Sequence, residues 1–98
     1  MNKVFISHPF QDNPEENLSK TKSLLSKLRR EYPEILFISP LHLFSYFKQE
    51  VQNFRADIIE FCKHLLDNCD EIWLYGKSDG CMEEAQYAKE IGVKVVWK

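Results

Sequence analysis

Four short apolar runs separated by longer stretches of helical periodicity predict an α/β domain, a small doubly wound parallel sheet of about four strands with helices on both faces. Two observations carry this expectation. The runs are apolar at consecutive rather than alternate positions, as strands covered on both faces must be. The first three stop at Pro or Gly before a helical pattern begins, so crossovers rather than hairpins join the strands.

"KVFIS" (Lys3 to Ser7) is the first such run, and the loop His8-Pro9-Phe10 ends it. Asn13 is a candidate N-cap, Pro14 sits at the first helical position, and Glu15 and Glu16 suit a first turn. Leu18, Thr21, Leu25, Leu28 and Tyr32 recur at helical spacing, and Pro33 predicts the end of that helix. "ILFIS" (Ile35 to Ser39) is the second strand, stopped by Pro40. A helix from about Glu50 to Asn68 carries Val51, Phe54, Ile58, Phe61, Cys62 and Leu65 on one face. "EIWLY" (Glu71 to Tyr75) is the third strand. A last helix is expected from about Cys81 to Ile91, with Gly92 as its stop, before the strand "KVVW".

Right-handed crossovers then give the strand order 2-1-3-4, a Rossmann- or flavodoxin-like arrangement. The winding reverses between the first and third strands. Their carboxyl ends carry "SHPF" and "YGKSDG", so these two loops are expected to face each other across one pocket.

The 98 residues make one domain, 1–98, with no linker, repeat or low-complexity segment. Thirteen Lys and Arg against fifteen Asp and Glu, with neither sign gathered into a run, favour neither nucleic acid nor an anionic membrane. The amino terminus has too short an apolar stretch for a secretory signal or a spanning helix, so a cytoplasmic protein is expected. Cys62, Cys69 and Cys81 form no CxxC pair and read as reduced, partly buried thiols. No metal and no cofactor is implied.

Gly76-Lys77-Ser78 supplies only the second half of a phosphate-binding P-loop, because the position five before Gly76 is Glu71, inside the strand. Nor does the first strand lead into glycines, which excludes a dinucleotide fingerprint. What remains is a loop in which Gly76 and Gly80 let backbone approach a ligand, followed by a helix with Glu83 and Glu84 expected in its first turn. Met82, Ala85 and Ala88 form the stripe expected to pack on the sheet. Glu84 lies beside that stripe, near the strand end, and is the better candidate for a working carboxylate; acidic first-turn residues also serve simply to stabilise helices.

"KVFISHPF" with "EEN" downstream, then "LDNCDEIWLYG" and "SDGCMEEAQYAKEIGVKV", resemble the nucleoside 2-deoxyribosyltransferase-like superfamily, most closely a small branch of uncharacterised domains found in phages and bacteria. The most specific part is Gly80, Met82 and Glu84 followed by Tyr87-Ala88 and Gly92. The resemblance implies that Glu84 is a nucleophile attacking the anomeric carbon of a nucleoside, and that Asp70 is a structural residue at the head of the third strand. It also has departures. Ser78, six residues before Glu84, stands where those enzymes have a base-handling aspartate, and Cys62, eight before Asp70, where they have a helical carboxylate. With the sequence ending at Lys98, their carboxy-terminal extension is not expected here.

Among the remaining candidates, His8 is a possible acid for a leaving base, or a loop histidine bonded to backbone. Ser7, Pro9 and Phe10 from the first loop, Gly76, Ser78, Asp79, Gly80 and Met82 from the second, and Arg55 as a phosphate clamp complete the expected substrate site. Leu41 to Phe47 is expected to be an aromatic lid, with Phe44, Tyr46 or Phe47 stacking a base, or else core or a subunit contact. The expected activity is hydrolysis or transfer at an N-glycosidic bond of a nucleoside, nucleotide or ADP-ribose-like molecule, in a homo-oligomer. The alternatives are a non-catalytic nucleotide-sensing or sequestering module and a scaffold without ligand.

Overall fold

The computed structural model describes residues 2–10, 13–40 and 55–98, with side chains from residue 60 onward in the last stretch. Its elements run β1 (Asn2–Ser7), α1 (Pro14–Glu31), β2 (Ile35–Ile38), α2 (Arg55–Leu66), β3 (Glu71–Leu74), α3 (Asp79–Ile91) and β4 (Lys94–Trp97). The strands pair in parallel in the order β2-β1-β3-β4, as the crossover rule required. The aromatic segment 41–47, the residues 50–54 expected to open the second helix, and the Arg55 side chain lie outside what is described.

Strand alternation divides the core into two layers. Val4, Ile6 and Trp73 point to one face, where Leu25 and Leu28 of α1 and Phe37 of β2 cover them. Phe5, Ile72 and Leu74 point to the other, against Cys62 and Leu66 of α2 and Cys81, Ala85 and Ala88 of α3. Among the described residues, one helix thus covers one face and two cover the other. All three cysteines are free and buried, and all three belong to the second layer.

Trp73 anchors the α1 layer. Its ring meets Tyr32 and Phe37 edge-on, at centroid distances of 5.6 and 5.5 Å, and Lys98 Nζ lies 4.0 Å above it. Such aromatic pairs contribute about 0.5–1.5 kcal/mol beyond the area they bury. Trp97, by contrast, lies on the edge strand β4 and stays exposed.

Helix ends follow the expected residues with two differences. Pro14 opens α1 and the helix stops at Glu31, just before Pro33. Asn13 occupies the cap position, but its side-chain amide donates to Glu16 Oε2 at 2.6 Å instead of accepting a backbone N–H. The second difference concerns α3, which begins at Asp79, two residues earlier than the apolar pattern indicated. Ser78 is its N-cap, with Oγ accepting from the Cys81 N–H at 3.3 Å.

At the other end of α3, Gly92 adopts φ 82°. Its N–H donates to Lys89 O and the Val93 N–H to Ala88 O, which closes the helix with a left-handed residue. A Cβ there is opposed by backbone sterics rather than by neighbours, because nothing lies within 4 Å of it. Gly92→Ala is therefore expected to lower stability by about 1–2 kcal/mol, read as a shift in urea midpoint at constant slope.

Asp70 ties the amino ends of the strands together. Its Oδ2 accepts from the Lys3 N–H at 2.8 Å, its own N–H donates to Lys3 O, and its O accepts from Lys94. Such a part is structural, far along the strands from their carboxyl ends. Among the described residues, no helix is long and apolar enough to cross a membrane.

Candidate functional site

At the carboxyl ends of β1 and β3, where the winding reverses, Ser7 is in register with Leu74 and its carbonyl accepts from the Tyr75 N–H at 2.9 Å. The two loops expected to face each other here do more than that, for they touch. A Cβ placed on Gly76 would lie 2.3 Å from Pro9 Cγ and 2.7 Å from Cδ. Glycine at 76 therefore makes room for the proline ring. Gly76→Ala has to push the two loops apart and is expected to cost about 1–3 kcal/mol, seen as a lowered thermal midpoint.

Ser7 shares the alternation of Phe5, so its side chain points to the face covered by α2 and α3. On α3, the buried stripe is Cys81, Ala85 and Ala88, with Met82 exposed, so Cys81 takes the place expected for Met82. Glu84 flanks this stripe on the α2 side. Its Oε1 accepts from Ser7 Oγ at 2.6 Å, across 77 residues of sequence, and the Cys62 thiol of α2 lies near enough to act on the charge of the same carboxyl. Three elements thus converge on one carboxyl group.

Burial pushes the Glu84 carboxyl up to about 7; the hydroxyl of Ser7 and the thiol of Cys62 pull against that rise, and the charge of neighbouring Glu83 adds to it. Because α3 starts at Asp79, Glu84 lies in the second turn, not the first. The helix dipole acts over the first turn, so desolvation and donors decide the charge of Glu84 instead. Burial, then the charge and bonding of Glu84, hold the Cys62 thiol far above the usual thiol range. Cys62 is accordingly a protonated donor and not a nucleophile. A carboxyl titrating near neutrality can act as an anion or as an acid, which suits proton transfer or attack on an electrophilic carbon.

The other candidate residues make contacts of their own. At about 100° per residue, Met82 falls on the opposite flank of α3 from Glu84. There it lines an open groove of about 420 Å³ with Leu74, Gly76, Lys77 and Trp97, and Glu84 is not part of that lining. Ser78 is committed to capping, Asp79 is exposed in the first turn, and Gly80 faces open space. His8 Nδ1 lies 2.8 Å from Pro9 O; a carbonyl only accepts, so this nitrogen carries a proton and donates. Phe10 O accepts from the Asn17 side chain, which pins the loop to α1.

The donors to Glu84 were not foreseen. Strand alternation would have put Ser7 with Phe5, but only the packing of α3 against α2 shows that Glu84 reaches it. Cys62 stands out in the sequence only as a position lacking a carboxylate. Among the described residues no group of three or more His, Cys, Asp or Glu side chains can hold a metal ion.

A family model described as "Domain of unknown function (DUF7768)" matches residues 2–98. No curated protein and no solved structure matches the chain.

Proposed function

This chain belongs to the DUF7768 family, and we propose that it cleaves or transfers the N-glycosidic bond of a nucleoside, nucleotide or ADP-ribose-like molecule, with Glu84 as the nucleophile. One observation carries this reading: a desolvated carboxyl, held by donors from β1 and α2, at the point of the sheet where ligands of doubly wound folds bind. The resemblance of the α3 sequence to a nucleophile helix supports the same assignment.

In the first step the ionised carboxylate bonds to the anomeric carbon as the carbon–nitrogen bond breaks, and both electrons leave with the base, which takes a proton from water. Water or a second base then attacks the glycosyl ester, releasing the sugar and restoring the carboxylate. Ionisation near pH 7 makes the anion available without leaving it fully solvated.

A binding or sensing role is favoured by one feature. Ser78 accepts the Cys81 N–H as helix cap, and its hydroxyl is too weak an acid to protonate a leaving base, whereas a half-protonated Glu84 can exchange hydrogen bonds with ribose hydroxyls. Intact-protein mass spectrometry after incubation with nucleosides, nucleotides and NAD-like compounds separates the two. A free base together with a sugar-sized adduct on the peptide containing Glu84 is the expected result. Retention of one unaltered compound identifies a binding module.

A further inference from the structure

Ser7 is 1% exposed, and its backbone is held by β3 through the Tyr75 N–H and by register with Leu74. Water cannot compete for its hydroxyl, and its own loop does not take it. That single proton lies in a 2.6 Å bond to one defined oxygen of Glu84. Hydrogen bonds this short between a hydroxyl and a carboxylate are the charge-assisted kind, which fix direction as well as energy.

We propose that Ser7 is a positioning residue that locks Glu84 Oε1 and so makes Oε2 the oxygen presented to the sugar. The inference rests on the reading of Glu84 as nucleophile. An oxygen that accepts a short bond has less electron density to offer an electrophile, whereas its partner across the carboxylate keeps its own. The Cys62 thiol, a weaker donor from α2, steadies the group and leaves it a free lone pair, because each carboxylate oxygen has two acceptor sites. The bond from β1 thereby orients the carboxyl, and the reacting oxygen is chosen before any ligand arrives.

The groups acting on this carboxyl are Ser7 from β1, Cys62 from α2 and Glu83 of α3 itself. The test follows the ¹³Cδ resonance of Glu84 against pH in the wild-type protein, Ser7→Ala and Ser7→Thr, with kcat and KM for any nucleoside-type compound that is turned over. Loss of a bond to a charged group is expected to raise the Glu84 midpoint by about one unit in Ser7→Ala, and Ser7→Thr is expected to restore it. With turnover, kcat falls at least about tenfold in Ser7→Ala while KM stays within about twofold.

An unmoved midpoint in a folded Ser7→Ala protein overturns the proposal. So does a rise in KM alone, which would put Ser7 on the substrate. A shifted midpoint in a protein that turns nothing over upholds the contact but sinks the catalytic reading of Glu84. If Ser7→Ala fails to fold, Ser7→Cys keeps a weaker donor and is expected to give a smaller upward shift, with no shift again counting against it.

Discussion

Glu84→Gln is expected to lower turnover of a nucleoside-type substrate by about a thousandfold or more, the scale on which enzymes lose a nucleophile, while binding of the same compound persists. The substitution keeps the size of the side chain and leaves a carbonyl oxygen to accept from Ser7. What it removes is the anion that bonds to the anomeric carbon. Single-turnover base release and calorimetric binding, measured on the same samples, separate the two effects. In the wild-type protein, kcat/KM is expected to rise with pH through about 7 and then level, since only the ionised carboxyl attacks. Base release that continues unchanged in Glu84→Gln would falsify the assignment of the nucleophile.

The same carboxyl is expected to make the protein more stable in mild acid than at pH 8. Its pKa is about 7 when folded against an ordinary value of 4.5. Below pH 4.5 both states hold the proton. Between 4.5 and about 7 the unfolded chain releases it while the folded one retains it, so unfolding is favoured more with each step in pH. The contribution is fully present below 4.5 and lost as pH rises through about 7. A separation of this size corresponds to roughly 3 kcal/mol. Glu84→Gln cannot titrate, so its urea midpoint is expected to lose that much less between pH 5 and pH 8 than the wild-type midpoint does. Parallel curves for the two proteins would show instead that the carboxyl behaves as a solvated one.

Helix boundaries show where local reasoning works and where it stops. The end of α1 before Pro33 and the end of α3 at Gly92 follow from backbone rules that act within a few residues. The start of α3 does not, because the apolar stripe begins at Cys81 while the helix begins with a capping Ser78 and an exposed Asp79, which the periodicity of buried residues cannot register. That shift of two residues moved Glu84 out of the reach of the helix dipole. It also made Ser78 the cap of that helix.

By itself, the sequence determined the element order, the parallel sheet and its strand order, because apolar runs and right-handed crossovers leave few ways to bury four strands. It also singled out Glu84, through its place beside the stripe of α3. Tertiary structure alone decided the company that Glu84 keeps: a hydroxyl from 77 residues away and a thiol from the neighbouring helix. It likewise spent Gly76 on the Pro9 ring and put Met82 on the far flank of the helix. The physical reason is one of range. Dihedral preferences and hydrophobic period act over a turn of chain, whereas the desolvation and hydrogen bonding that set the charge of a carboxyl depend on which distant elements pack around it.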